Sequence, residues 1–180
     1  MDSHNLPLRW RANEAAWCLR VNALGTRGTV RHAFAVVSRL GDGVFWYALM
    51  AAMVALDGLD GLRAALHLLA TGAISLALYK GLKRWTRRPR PFASDVRIRA
   101  WVAPLDEFSF PSGHTLHAVA FTIVALAYYP ALAWLLVPFS AAVAASRVVL
   151  GLHYPSDVLA ATAIGGALAS LSLWWLPVAG

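Results

Sequence analysis

The chain has 180 residues, of which 59% are hydrophobic and only 14% charged, and its 16 Lys and Arg against 9 Asp and Glu give a formal net charge of +7. Soluble domains of this length carry charge on nearer a quarter of their residues, so the composition excludes an ordinary soluble domain and points to a membrane protein. A crossing helix needs about 20 apolar residues, so the expected fold is an all-α, multi-pass transmembrane bundle of about five spans with room for a sixth.

The first expected element covers residues 8–39, where Arg alternates with Trp, Leu and Val at roughly helical spacing. That pattern predicts one or two amphipathic helices lying on the membrane surface, with a cytosolic tail as the plainer alternative. Charges interrupt Met1 to Arg31 every few residues, so no signal-peptide core is expected and targeting would rest on the spans themselves. The single cysteine, Cys18, cannot form a disulfide within the chain. Gly41-Asp42-Gly43 breaks the pattern. Residues 44–56 are uncharged but reach only about 20 Å as a helix, so this span needs help from its flanks. Asp57-Gly58-Leu59-Asp60-Gly61 predicts a tight turn.

The second span, 62–82, ends in a basic cluster. Eight Lys and Arg lie between Lys80 and Arg99, with Asp95 as the only acid. Such a run suits nucleic acid, anionic lipid or a phosphate site. The interleaved Trp85, Phe92 and Trp101 fit an interfacial belt at least as well as base stacking, so a bilayer is the expected partner and nucleic acid is not. Residues 84–110 form a long polar loop of the kind that carries function. The third span covers 112–130, the fourth 131–150 with Pro138 as a kink point, and the fifth 156–175. Gly165-Gly166 and many alanines in the last predict close helix approach. Parity then puts Lys83, Ser112, Arg147 and Asp157 on one membrane face.

Three clusters meet there: Lys83 with Arg90-Pro91; Pro111-Ser112-Gly113-His114; and Ser146-Arg147 with His153 and Asp157. Phosphoryl transfer needs positive charge and donors around three equatorial oxygens. Lys83, Arg90 and Arg147 can supply them, and Ser112 and Gly113 stand where a helix start favours an anion. His153 can attack phosphorus through one ring nitrogen while Asp157 orients the other. His114 can protonate the leaving oxygen and then activate water. Each residue also has a plain reading: interfacial histidine, flanking anchors, an N-cap at Ser112, a helix-start hydrogen bond between His153 and Asp157. His114, His117, His153 and Asp157 offer a zinc-like set, disfavoured because three nearby cations repel a divalent metal. No metal and no cofactor are expected.

Together the clusters resemble the type 2 phosphatidic acid phosphatase (PAP2) superfamily, whose pattern K-x6-R-P, P-S-G-H and S-R-x5-H-x3-D is matched at every specified position. The match covers Lys83 to Asp157, and its helical frame extends to about Trp175. The resemblance implies a metal-independent lipid phosphatase with His153 as nucleophile, Asp157 as its partner and His114 as acid–base residue. Lys83, Arg90, Ser112, Gly113 and Arg147 would bind phosphate. It implies residues 41–180 as the phosphatase domain, with residues 1–40 as an interfacial segment outside the match. Candidate substrates are undecaprenyl diphosphate, phosphatidic acid, phosphatidylglycerol phosphate and lipid A phosphate. Arg87 and Arg88 hint at a diphosphate head group, and Phe92, Trp101, Phe108 and Phe110 at sideways entry of a lipid tail. A lipid phosphotransferase and a non-enzymatic anionic-lipid-binding protein are the alternatives. Relatives in bacteria imply an inner-membrane protein with its site on the periplasmic or external face, whereas the basic loop on the active side points inward by the positive-inside rule.

Overall fold

A chain crossing lipid must satisfy its backbone N–H and C=O groups within itself, which leaves helices as the solution for apolar runs of this kind. In the computed structural model, which describes residues 6–177, every regular element is a helix. Residues 1–5 of the expected N-terminal segment lie outside the described residues. Two helices, α1 (Leu6–Asn22) and α2 (Gly28–Arg39), precede the first long apolar helix, α3 (Phe45–Thr86). Of the two, α2 is strongly amphipathic and α1 only weakly so. Both pack against α6 (Ala133–Val149), and α1 also against α7 (Pro155–Trp175).

The turn expected at residues 57–61 is present inside α3. Gly58 leaves helical geometry at φ 53° and ψ −120°, a backbone region that L side chains rarely adopt. The two legs of α3, 45–57 and 59–86, then double back closely: a Cβ on Gly61 would collide with the Met53 carbonyl. A second break at Asp42 and Gly43, with Gly43 at φ 126°, separates α2 from α3 where the sequence has Gly-Asp-Gly.

After a one-turn helix α4 (Pro91–Ser94) in the basic loop, helix α5 (Gly113–Tyr128) forms the centre of the bundle, packing against α3, α6 and α7. Its small residues allow this: Ala118, Ala120 and Ala125 are wholly buried. A Cβ on Gly165 would stand 2.7 Å from the Leu116 carbonyl, whereas one on Gly166 would meet nothing closer than 3.9 Å. Of the expected glycine pair, Gly165 alone sets the α5–α7 approach. The outer faces expose Leu66, Ile74, Trp134, Val137, Leu159 and Leu171, as a lipid-facing surface permits. Among the described residues, three helical stretches, within Gly28–Ser94, Pro130–Val149 and Pro155–Trp175, are long and apolar enough to cross a membrane, and α5 is a shorter apolar helix. Pro138 lies inside α6, which continues through it.

Candidate active site

Each expected cluster sits at a junction between loop and helix. Ser112 is the N-cap of α5, its Oγ accepting from the Thr115 hydroxyl at 3.0 Å, so the capping reading of this residue holds. Pro155 opens α7, and Asp157 in its first turn accepts the Tyr154 N–H at 2.9 Å. The five-residue spacer between Arg147 and His153 closes on itself: the Arg147 carbonyl accepts from Leu152 N at 3.0 Å and His153 N at 3.1 Å. Gly151 makes this turn at φ 74°, and a Cβ there would strike the Arg99 carbonyl. Spacing in the sequence therefore fixes where guanidinium and imidazole stand relative to one another.

A cavity of about 480 Å³ opens at this end of the bundle. Lys83, Arg90, Gly113, His114, Arg147 and His153 all line it. Of the expected site residues, Ser112 and Asp157 do not: the first is buried in its cap, the second behind His153. The convergence required by parity is thus present, with Lys83 and Arg90 reaching in from the basic loop.

Arg90 Nη1 lies 3.3 Å from His153 Nε2 and 2.8 Å from the Leu152 carbonyl. That side of the ring faces the cations, and the Nδ1 side faces Asp157 Oδ2 at 3.6 Å. This is ion-pair range but too long for a hydrogen bond, and Nδ1 is buried without a hydrogen-bond partner. Burial, then the Arg147, Arg90 and Lys83 charges, hold the His153 pKa well below 6.5, so the imidazole is neutral at pH 7 and one ring nitrogen keeps its lone pair.

Several partners were not legible in the motifs. Asp106 lies within the cluster, 2.7 Å from both Lys83 Nζ and Arg90 Nη2. Burial pushes its carboxyl up, but the Lys83 and Arg90 cations more than offset this and hold it below its ordinary value. Asp42, from the break before α3, stands 3.4 Å from His114 Nε2. Ser38 of α2 accepts a hydrogen bond from Arg147. A Gly-Asp-Gly break and an acid in a basic loop were the only signals available.

Three expectations need correction. Arg88 does not face the cavity as a head-group ligand; it turns behind the site to Asp157 and Glu14, both at 2.7 Å. Arg87 is exposed at the end of α3 in left-handed geometry, φ 46°. The four loop aromatics do not line the cavity. Trp101 instead donates to the Asn22 carbonyl at 3.3 Å, and Phe92 packs in a small cluster around Cys18 and Ile98. The apolar wall comes from Trp46, Met50, Leu69, Ala73 and Leu76, on the two legs of α3. The alternative zinc-like set is divided too, since the ring nitrogens of His117 face the Gly113 and Gly72 carbonyls at 3.1 and 3.2 Å.

The family model described as PAP2 superfamily matches residues 64–180. The chain belongs to the PAP2 superfamily. It is 25% identical over 216 residues to phosphatidylglycerophosphatase B of Escherichia coli, spanning 92% of this chain and 79% of that protein. It is 38% identical over 71 residues to undecaprenyl-diphosphatase BcrC of Bacillus subtilis, a stretch of 39% of this chain and 36% of that one. Among solved structures, the transmembrane PAP2-type phosphatidylglycerolphosphate phosphatase of Bacillus subtilis superposes with TM-score 0.74 at 24% identity, over 93% of this chain and 86% of that one. LpxE of Aquifex aeolicus superposes with TM-score 0.73 at 21% identity, over 86% and 92%. These two likenesses speak for the fold. The expectations of an all-α membrane bundle and of a phosphatase both hold for this PAP2 chain.

Proposed function

We propose that this protein hydrolyses a lipid phosphate or diphosphate through a phosphohistidine on His153. The observation that carries the reading is one cavity with two ends. Lys83, Arg90, Arg147, His114 and His153 stand at one end, and the apolar legs of α3 wall the other. A phosphate head fits the cations while its hydrocarbon tail lies between helices, where water would be displaced from apolar surface.

The neutral His153 attacks with Nε2, forming a P–N bond as the P–O bond to the lipid alcohol, or to the lipid phosphate of a diphosphate, breaks, and His114 gives its proton to the departing oxygen. Water then attacks phosphorus as His114 takes back a proton; the P–N bond breaks and inorganic phosphate leaves. Lys83, Arg90 and Arg147 hold the equatorial oxygens, where charge accumulates at the transition state. The Gly113 N–H, at the start of α5, adds a donor that needs no side chain. Asp157 stabilises the positive charge that the ring acquires on phosphorylation, and Asp42 orients His114.

The proposed substrates are those of the named relatives' class, phosphatidylglycerol phosphate and undecaprenyl diphosphate first. Residues 41–180 act as the phosphatase domain and residues 1–40 as an interfacial segment, whose helices α1 and α2 pack on that domain. The site is assigned to the periplasmic or external face of the inner membrane. Lys83 and Arg90 belong to the cavity and Arg88 to its support, which weakens the loop's count as a positive-inside signal.

The test is phosphate release from a lipid phosphate panel, in chelator, by purified wild type and His153→Ala. Wild type is expected to turn over and to trap covalent phosphate in an alkaline denaturing quench, where a P–N bond survives, and His153→Ala to do neither. Label retained in His153→Ala overturns the intermediate. Adding alcohol acceptors separates hydrolysis from transfer, because a transferase yields a phosphorylated acceptor at the expense of free phosphate.

A further inference from the structure

The residues behind His153 form a continuous row that begins in the N-terminal helix. Glu14 of α1 meets Arg88 Nη2 at 2.7 Å, and Arg88 Nη1 meets Asp157 Oδ1 at 2.7 Å. Asp157 Oδ2 in turn faces His153 Nδ1 at 3.6 Å. The second Glu14 oxygen accepts the Ser156 N–H at 2.9 Å, and Arg88 also donates to Ser156 Oγ at 2.7 Å. Its guanidinium lies over the Tyr154 ring, 4.1 Å from the centroid. The Glu14 and Asp157 side chains are 6% and 0% exposed. A buried carboxylate reaching from a segment outside the family's motifs to the loop that carries the proposed nucleophile calls for a physical reason.

We infer that Glu14, acting through Arg88, is a positioning residue for the Asp157–His153 pair, so that helix α1 is part of the catalytic apparatus. The inference rests on the phosphatase reading above. A fully buried Asp157 is costly as an anion unless a cation pairs with it. Arg88 supplies that cation, but alone it would cancel the negative potential that His153 needs when phosphorylation makes its ring positive. Glu14 restores the balance: two carboxylates around one guanidinium leave a net negative charge behind the imidazole. Glu14 also holds the backbone at Ser156, between His153 and Asp157, which fixes the separation of the pair.

Steady-state kinetics of the purified full-length protein test this, alongside His153→Ala. Glu14→Gln keeps the shape and removes the charge. It is expected to lower kcat about tenfold, the size of a coupling between contacting groups, with KM within about twofold. In an Arg88→Gln background the same change should cost no more than about twofold, because the path is already cut. Glu14→Asp should retain more turnover than Glu14→Gln. If Glu14→Gln does not accumulate folded, the pair Glu14→Asp and Glu14→Asn carries the same charge contrast at shorter length. Unchanged kcat in Glu14→Gln overturns the inference, as does an equal loss in the Arg88→Gln background, or a loss that merely follows a lowered melting midpoint. An active His153→Ala would instead overturn the phosphohistidine reading on which the inference rests, so the two failures are distinguishable.

Discussion

Lys83, Arg90, His114, Arg147 and His153, all from residues 83–153, supply the cations and imidazoles that face the cavity, whereas residues 14–42 supply polar groups that hold them from behind or, at Asp42, from the cavity wall. Glu14 restrains Arg88, Ser38 restrains Arg147, and Asp42 stands beside His114. Asn22, only 4% exposed, donates to the Arg99 and Val149 carbonyls at 2.9 and 3.0 Å and accepts the Arg99 N–H at 2.9 Å. On the proposed function the first region meets the substrate and the second acts through geometry. Changes in the first should therefore stop turnover in a folded protein, and changes in the second should loosen the fold or scale turnover without stopping it.

The largest expected effect follows from Arg147, which lines the cavity and donates to Ser38. Arg147→Ala removes a charged donor at the site of developing charge, and kcat/KM should fall by about a thousandfold. Ser38→Ala leaves the guanidinium in place with one partner fewer, and the loss should stay within about tenfold. Equal losses in the two variants, measured on one lipid phosphate, would break the comparison.

Next come changes that strike the support alone. Asn22→Ala leaves backbone groups at Arg99 in the basic loop and at Val149, the end of α6, unpaired and should cost about 2 kcal/mol of stability. Gly151→Ala forces an L side chain into left-handed backbone against the Arg99 carbonyl and should cost a similar amount. Thermal midpoints in detergent check both. The kcat of the protein that remains folded should lie near wild type.

The same contrast explains what was legible beforehand. The spans, the Asp57–Gly61 turn and the convergence of Lys83, Arg90, His114, Arg147 and His153 followed from apolar runs, glycine and parity, all local in sequence. The Arg147–His153 spacing was readable because that turn closes through its own carbonyl. The role of Arg88 was not readable. Its charge is visible in the sequence, but its direction depends on Glu14 and Asp157, which lie 74 and 69 residues away. The loop aromatics misled for a related reason. Trp101 suits a lipid interface by composition, yet it is held against the end of α1, near Gly25 and Asn22.

A smaller effect is expected at Asp106, which belongs to the motif side by position but resembles the supporting residues in function. Its carboxylate lies on Lys83 and Arg90, where a phosphate oxygen would compete for the same donors. Asp106→Asn should weaken that competition and lower the inhibition constant of inorganic phosphate about threefold, by the scale of one screened charge contact. A raised inhibition constant would mean that Asp106 chiefly holds Lys83 and Arg90 in place, and would move it wholly into the supporting class.

The smallest signal is a pH dependence, and it separates the two regions without any substrate. His153 is held neutral, its pKa well below 6.5 through burial and then the Arg147, Arg90 and Lys83 charges. Below pH 6.5 the unfolded chain binds a proton at this position that the folded chain refuses. The unfolded state then carries more protons, so stability falls as pH drops through that window, by up to about 1.4 kcal/mol per pH unit for one such group. His153→Gln removes the group and should flatten the fall in thermal midpoint between pH 6.5 and 5 by that one-proton share. Asn22→Ala adds and removes no titrating group, so its curve should lie below wild type by a constant offset across the same range. If His153→Gln instead shifted the curve in parallel, the imidazole would already be charged in the folded protein. It would then have no free lone pair for phosphorus, and the nucleophile would have to be sought elsewhere in the cavity.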